Sequence, residues 1–391
     1  MPARLLYTLI TGVTCSTLLM GCGCRDDDVR VRPNEPQEDP NDVGQWLSMD
    51  LMSDGSPAVS FYDNSKGGLG FAIGTWSDDG DIRWKTEAVD GFPAENGLDP
   101  GDRGLYTSLA VDGKNQAWIS YYDASNGSLR YALRSSEGEW ETGIAGTGSG
   151  PTSDVGWFSS MALNESDEPV IAFYDVLDAQ LRISYFNGSS FSAEVVDDGS
   201  AHTPEDLDPD VGRFARLMIH EGTEYIAYYD AAQGKLKLAS GNSGNWTIEV
   251  VDDGTDEAGS GNVGAWPDLA MLGDELLIAY QDVDNGDLRL ARSTTSSPWT
   301  ISVVDSGAEM GADARLFFDG GTPGVYYFDG YNNDLRQALE SPDSDSGWET
   351  KTLAGEEAAL GFHIDTVTDG SSRYVACYDF TNRNIWFDRA E

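Results

Sequence analysis

Residues 212–236 read GRFARLMIHEGTEYIAYYDAAQGKL, one copy of a motif that occurs seven times between residue 44 and the C-terminus. A glycine is followed after 18 or 19 residues by an aspartate that ends an aromatic run, and a Leu or Ile stands six residues later. The positions are Gly44, Gly104, Gly156, Gly212, Gly264, Gly311 and Gly361; Asp63, Asp123, Asp175, Asp230, Asp282, Asp329 and Asp379; and Leu69, Leu129, Leu181, Leu236, Leu288, Leu335 and Ile385. Repeats of 47 to 60 residues, with short β-branched and aromatic runs separated by turn residues, predict a radial array of small sheets.

Each repeat predicts four strands, which in the copy above are residues 214–219, 225–229, 235–239 and 246–251. The fold predicted is all-β: a seven-bladed β-propeller of four-stranded antiparallel blades over residues 29–391. Its repeats start near residues 44, 104, 156, 212, 264, 311 and 361.

The seventh repeat is too short for a fourth strand, since the chain stops twelve residues after Asp379. An open sheet edge is normally covered, so we expect Val29 to Arg32 to pair with the last blade as its outer strand. The alternative is a disordered tether throughout residues 23–42, which are rich in Pro, Asp and Glu.

The N-terminus resembles a bacterial lipoprotein signal. Arg4 precedes an apolar run from Leu5 to Met20, and residues 19–22 read LMGC. The resemblance implies that residues 1–21 are removed, that Cys22 is lipidated and that residues 22–28 form a tether. An ordinary cleaved signal and a short membrane anchor are the alternatives, although a predominantly apolar stretch of 16 residues is short for a span. Gly23 after the cysteine resembles outer-membrane sorting, so a lipid-anchored protein of the cell envelope is expected, facing the surface or the periplasm.

Composition excludes one class of partner. The chain has 67 acidic and 24 basic residues, a formal charge of −43, and six of the basic residues are lysines. Phosphate backbones are repelled by such a chain, so nucleic acid is not an expected partner. The acidic loops favour a protein, polysaccharide or cation as the partner, and solubility alone is the simpler reading of the charge.

Polar side chains break the symmetry near the predicted axis. Four residues after each motif glycine, the first three repeats carry serine and the last four alternate in charge: Arg216, Asp268, Arg315 and Asp365. Two residues after the glycine the series is aromatic, including Trp46 and Trp266, until Asp313 and His363 interrupt it. Blade-to-blade packing and ion pairing explain both series, while a ligand site in the channel is the alternative.

The loops between repeats contain the densest carboxylates. They include a candidate set of ligands for calcium, which needs several oxygen ligands at once: Asp197, Asp198, Asp208, Asp210, Asp252 and Asp253. Neither loop has the residue order of a dedicated calcium loop, and hydrated surface loops are the alternative. No zinc spacing, phosphate-binding glycine loop or nucleophile elbow occurs in the sequence, so no catalytic residue and no cofactor other than calcium is predicted.

The repeat resembles those of secreted bacterial propellers related to the sialidase and Asp-box group. Four features carry the resemblance: the glycine-aromatic start, the YYD strand end, the Leu-Arg strand and the terminal Trp. That resemblance implies a glycoside hydrolase or polysaccharide lyase as one alternative, with Arg216 and Arg315 in part of an arginine triad and Tyr326 or Tyr327 in a nucleophile pair. The function that we predict is that of a membrane-anchored surface lipoprotein that binds or scaffolds a protein, polysaccharide or cation, and the enzyme is the alternative. A deep axial pocket with unpaired charges favours the enzyme, whereas pairwise-bonded charges and a narrow channel favour binding.

Overall fold

The computed structural model describes residues 42–77, 81–93, 101–148, 153–201, 208–256, 259–294, 297–355, 358–370 and 372–390. These residues form a ring of seven antiparallel sheets and contain no α-helix, which confirms the predicted propeller. Six blades have four strands and the seventh has three in the described part of the chain. The predicted closing strand, Val29 to Arg32, lies outside the described residues.

The strands follow one another in chain order within each blade, from the axis outward. Blade 1 contains β1 (Val43–Leu51), β2 (Pro57–Asp63), β3 (Gly68–Trp76) and β4 (Ile82–Asp90); blade 2 contains β5 (Arg103–Val111), β6 (Ala117–Asp123), β7 (Ser128–Arg134) and β8 (Trp140–Gly146); blade 3 contains β9 (Val155–Leu163), β10 (Pro169–Asp175), β11 (Gln180–Phe186) and β12 (Phe191–Asp197). Blade 4 contains β13 (Val211–His220), β14 (Thr223–Asp230), β15 (Lys235–Asn242) and β16 (Asn245–Asp252), and is followed by a two-stranded hairpin of β17 (Thr255–Asp256) and β18 (Gly259–Ser260). Blade 5 contains β19 (Val263–Leu272), β20 (Glu275–Asp282), β21 (Asp287–Thr294) and β22 (Thr300–Asp305); blade 6 contains β23 (Met310–Asp319), β24 (Thr322–Asp329), β25 (Asp334–Glu340) and β26 (Trp348–Ala354); blade 7 contains β27 (Leu360–Thr368), β28 (Arg373–Asp379) and β29 (Asn384–Ala390).

The motif glycines bring neighbouring blades together. Gly264 has φ +97°, and a Cβ there would stand 2.6 Å from Leu236 Cα of the preceding blade. The other motif glycines share this positive φ and close approach, each against the motif Leu or Ile of the preceding blade or its surroundings. Only glycine combines that backbone conformation with so short a separation. The glycine and leucine of the motif therefore form one contact, repeated at every seam.

The motif aspartates cap the turns that follow the second strand of each blade. In every blade one Oδ accepts a backbone N–H two or three residues later, as Asp230 does from Gln233 N at 3.0 Å. The other caps are made by Asp63, Asp123, Asp175, Asp282, Asp329 and Asp379. Turn capping is the role that the sequence favours for these residues, and the structure confirms it.

Four seams between blades are polar and share one arrangement. The outer strand of one blade ends in an aspartate, and a buried tyrosine of the next blade donates its hydroxyl to that carboxylate. Tyr228 and Tyr280, for example, lie 2.6 Å from Asp197 and Asp252. A basic residue next to the motif leucine pairs with the same aspartate and with the motif aspartate of its own blade, as Lys237 does with Asp197 and Asp230 at 3.1 Å each.

The residues of these seams vary together within the chain. Asp90, Asp197, Asp252 and Asp305 face Tyr121, Tyr228, Tyr280 and Tyr327. The outer strands of blades 2 and 6 end instead in Gly146 and Ala354. Opposite them, at the position of the tyrosine, blades 3 and 7 carry Phe173 and Cys377, both fully buried. A tyrosine hydroxyl thus occurs where an acceptor is available and is absent where none is.

The first and last blades meet directly and close the ring. Ser48 Oγ of blade 1 donates to Asp365 Oδ2 of blade 7 at 3.0 Å, and Val43 N donates to Arg383 O at 3.1 Å. An apolar cluster that includes Val59 and Ala376 is shared between these two blades. Comparable clusters join the other blades, so the core consists of slabs between sheets and not of a single centre.

Candidate functional site

One pocket lies on the axis of the ring, at the ends of the innermost strands that follow the motif glycines. We call it the axial pocket; its cavity volume is about 70 Å³. Seven of its lining residues are those two places after each motif glycine: Trp46, Tyr106, Phe158, Phe214, Trp266, Asp313 and His363. All seven have φ between +50° and +56°, at a point where the innermost strand shifts register against its neighbour. This irregularity directs one side chain per blade toward the axis.

Five of these side chains form an aromatic crescent: Trp46, Tyr106, Phe158, Phe214 and Trp266. Ring centroids of consecutive members lie 4.1 to 4.9 Å apart. His363 extends the crescent on the other side of Trp46, at 4.2 Å. Because the rings pack on one another in tilted pairs, the crescent narrows the channel as well as lining it.

Next along the strands, the residues four places after the glycine connect each blade to the next. Ser48, Ser108 and Ser160 accept the backbone N–H of Leu109, Met161 and Leu217 at 2.9 to 3.1 Å. Asp268 and Asp365 make the equivalent bond to Leu316 N and Met49 N at 2.8 Å. An arginine side chain has no atom that accepts a hydrogen bond, so the two arginines of the series cannot make this bond to the next blade.

Arg216 and Arg315 line the axial pocket and pair with the aspartates of the following blades. Arg216 Nε lies 3.1 Å from Asp268 Oδ1, and Arg315 Nε lies 3.6 Å from Asp365 Oδ1. Burial opposes the charge of Arg216, but the carboxylates of Asp268 and Asp365 outweigh it and raise its pKa. Burial and the charge of Arg216 together lower the pKa of Arg315. The alternating charges thus form ion pairs across the seams, and the Arg216–Asp268 pair is also hydrogen-bonded.

Arg315 is the less satisfied of the two arginines. Its Nη1 donates to Ala314 O at 2.7 Å, while its buried Nε has no hydrogen-bond acceptor. Asp313 sits beside it in the pocket and accepts the backbone N–H of His363 at 3.1 Å. Burial lowers the pKa of the His363 imidazole and Arg315 lowers it further, while Asp313 opposes both. The imidazole is therefore neutral at neutral pH.

The structure brings together six of the eight residues that the sequence singles out near the axis. Arg216, Arg315, Asp313, His363, Trp46 and Trp266 line the axial pocket, and Asp268 and Asp365 stand behind as partners of the arginines. The remaining aromatic members, together with small residues such as Thr107 and Ser159, complete the lining and were not singled out. The sequence carries a signal for the aromatic members, since Tyr106, Phe158 and Phe214 stand two residues after the motif glycine, as Trp46 and Trp266 do.

The carboxylates predicted as calcium ligands are not brought together. Within the described ranges no group of three or more acidic, histidine or cysteine side chains is placed to hold a metal ion. Asp197 and Asp252 accept seam tyrosines, Asp198 and Asp253 cap Ser200 N and Thr255 N, and Asp210 binds Arg213 and Tyr174. Protein donors already satisfy five of the six carboxylates.

The tyrosines that the sialidase resemblance implies as a nucleophile pair lie away from the axis, so that expectation is wrong. Tyr326 and Tyr327 are fully buried between blades. Tyr326 Oη accepts a hydrogen bond from Arg373 Nε at 2.7 Å, and Tyr327 donates to Asp305. Their alternation on β24 points them into the two seams that flank blade 6, whereas only the residues of the innermost strands reach the axis.

Comparisons with known proteins agree with the propeller. No protein-family model and no curated protein matches the sequence. Among solved structures, the polysaccharide lyase Uly1 is similar over 95% of this chain and 93% of its own, with a TM-score of 0.56 and 8% identity. The Hadza microbial sialidase Hz136 is similar over 79% of this chain and 65% of its own, with a TM-score of 0.50 and 13% identity. The fungal Aleuria aurantia lectin has a TM-score of 0.47 and 15% identity over 72% of this chain and 93% of its own.

Likeness at these identities shows a shared fold, and folds of this kind are reused for many functions.

In the described residues no helix is long and apolar enough to cross a membrane.

Proposed function

We propose that this protein is a binding propeller without catalytic activity and that it holds a carbohydrate at its axial pocket. One observation carries the proposal: the axial charges are already paired across seams, next to a crescent of aromatic rings. Aromatic rings pack on the apolar faces of sugars, and the guanidinium and carboxylate groups of Arg216, Arg315 and Asp313 provide donors and acceptors for hydroxyl groups. A cavity of about 70 Å³ suits a terminal group of a polysaccharide better than an enclosed substrate.

The test is a glycan array probed with the full-length protein, followed by titration of each positive glycan. Trp266→Ala is expected to weaken binding at least about tenfold, because it removes one end of the aromatic crescent. Tyr331→Ala is the matched control, since Tyr331 is exposed and lies outside the pocket lining. An array with no positive glycan, or equal loss in both variants, would contradict the proposal.

The competing candidate is polysaccharide cleavage, and one observation favours it. His363 is a neutral imidazole in the axial pocket beside Asp313, which suits a general base. The fold that this chain shares with a polysaccharide lyase gives the candidate its reaction class. Release of unsaturated products from acidic polysaccharides, measured by ultraviolet absorbance and abolished by His363→Asn, would replace binding with catalysis as the function.

We also propose that lipid on Cys22 attaches the propeller to the bacterial cell envelope. The proposal rests on the lipoprotein-like signal in residues 1–22, and Cys22 lies outside the described residues. Metabolic labelling with a fatty-acid analogue is expected to mark the wild-type protein and not Cys22→Ala. Label that persists in Cys22→Ala would contradict lipidation at this residue.

A further inference from the structure

Most exposed large apolar side chains of the described residues lie on one part of the rim. Six of the eight are on the outer strands of four consecutive blades, and they are 37% to 54% exposed. We call this set the outer arc; it consists of Ile144, Val195, Ile248, Val250, Ile301 and Val303. Exposed apolar side chains that recur at equivalent positions of neighbouring blades, on an otherwise strongly charged protein, mark a candidate contact surface.

The equivalent positions of the other blades are polar or small. Val250 and Val303 pair with the basic residue of the third strand, and in blades 6 and 1 this place is taken by Thr352 and Ala88. Ile248 and Ile301 correspond in the same way to Thr350 and Thr86. The outer arc is therefore not a requirement of the blade, because other blades fold without it.

The outer strands of the arc also lack the basic residues and prolines that commonly protect sheet edges. β4 and β26 carry Lys85 and Lys351, whereas β8, β12, β16 and β22 contain no Lys, Arg or Pro. Each of these strands is hydrogen-bonded to a neighbour on one side only in the described part of the chain. Natural proteins use charge or proline to keep such edges from pairing with other chains. Blades 2 to 5 lack lysine, arginine and proline at this edge; β8, β12 and β16 each carry one glutamate, and β22 has no charge before its terminal Asp305.

The grooves between these strands show which side chains would fit. Trp299 Nε1 donates to Glu249 of blade 4 at 3.1 Å, so Ile301 and Val303, which alternate with Trp299, face blade 4. Trp246 Nε1 donates in the same way to Glu194 of blade 3 at 3.2 Å. Each groove thus has an aliphatic wall and, opposite it, a wall with a glutamate. A Lys or Arg side chain matches both walls, with its methylene stem on the aliphatic side and its charge near the carboxylate.

We propose that the outer arc binds an extended, basic segment of a partner protein, which adds to the edge of β22 or β16 as a further strand. The unpaired backbone provides the hydrogen bonds, and alternating β-branched and basic side chains of the partner fit the grooves. A second copy of this chain is a poorer fit, because two chains with a formal charge of −43 each repel one another.

The experiment uses the full-length protein and a labelled nine-residue peptide that alternates valine and lysine, with fluorescence anisotropy as the readout. Ile301→Lys with Val303→Lys is expected to weaken binding about tenfold or more. The control, Thr350→Lys with Thr352→Lys, adds the same charge at the equivalent positions of blade 6 and is expected to change affinity by about twofold at most. Melting temperatures establish that both variants fold.

Amide exchange gives a second, independent readout. The peptide is expected to slow hydrogen exchange in β22 or β16 of the wild-type protein and to leave β26 unchanged. Absence of saturable binding, equal loss in both variants, or exchange unchanged in both strands would overturn the proposal. So would a wild-type dimer in sedimentation that becomes monomeric in the Ile301→Lys, Val303→Lys variant, since the arc would then bind a second copy.

Discussion

Replacing Asp197 by alanine tests whether the seam aspartates hold blades together or belong to a metal site. Its side chain is 7% exposed and accepts from Gly199 N at 2.9 Å, Tyr228 Oη at 2.6 Å and Lys237 Nζ at 3.1 Å. The substitution leaves a fully buried tyrosine hydroxyl without its acceptor. It also leaves Lys237 with one carboxylate, that of Asp230, where it had two.

The expected cost follows from those lost bonds. A hydrogen bond to a charged group contributes about 1.5–3 kcal/mol, and removal of one partner from a buried ion pair costs about 3–5 kcal/mol. Because Lys237 keeps Asp230, we expect Asp197→Ala to lower the free energy of unfolding by about 3–4 kcal/mol. Asp198→Ala is the matched control: it removes a cap from Ser200 N at an exposed position, and we expect a loss of about 0.5 kcal/mol.

The assay is urea unfolding followed by tryptophan fluorescence and circular dichroism, whose transitions must coincide before free energies are compared. Each protein is measured with calcium and with a chelator. Equal losses in the two variants, or a loss below about 1 kcal/mol in Asp197→Ala, would refute the seam role. Calcium that stabilises the wild-type protein and not Asp197→Ala would restore the metal site.

Two further predictions concern the motif glycine and the axial histidine. Gly264→Ala should lower the melting temperature far more than Gly273→Ala, because both glycines have positive φ but only Gly264 faces a backbone atom, Leu236 Cα, at 2.6 Å; equal shifts would contradict the packing role. Burial depresses the pKa of His363 in the folded protein, so its contribution to stability is complete above the ordinary value of about 6.5 and is lost as the pH falls below it. The difference in free energy of unfolding between the wild type and His363→Asn should accordingly shrink between about pH 8 and about pH 5 in urea unfolding. A difference that stays constant over this range would show that the pKa of the imidazole is not lowered by burial.

Much of the fold could be predicted from the sequence, because each motif residue solves a local problem that recurs in every blade. The aspartate caps a turn and the glycine permits a close approach, and both roles are tied to spacing along the chain. The alternating charges near the axis could also be predicted from the sequence, since Arg216 and Asp268 occupy equivalent positions in consecutive repeats.

The shape of the axial pocket could not be predicted from the sequence in the same way. It depends on the register shift two residues after the motif glycine, which gives Trp46 and its equivalents a positive φ that aromatic residues rarely adopt. The pairing of Tyr228 with Asp197 was missed for a different reason, because its two members belong to different repeats and meet only when blades are stacked. The same stacking gives Asp197 and Asp252 the tyrosine hydroxyls of the next blade as hydrogen-bond donors.

The two kinds of seam have a consequence for how the ring is assembled. Seven similar blades could in principle stack in many orders, and repeat proteins often misassemble by exchanging equivalent elements. Here the outer strand of blade 3 presents the Asp197 carboxylate, which accepts a hydrogen bond from the Tyr228 hydroxyl of the next blade. Gly146 of blade 2 leaves space that the Phe173 ring occupies. A blade placed at the wrong seam would bury an unpaired carboxylate or lack an acceptor for its hydroxyl. The seams thus distinguish two classes of neighbour and disfavour any arrangement in which a blade of one class takes the place of a blade of the other.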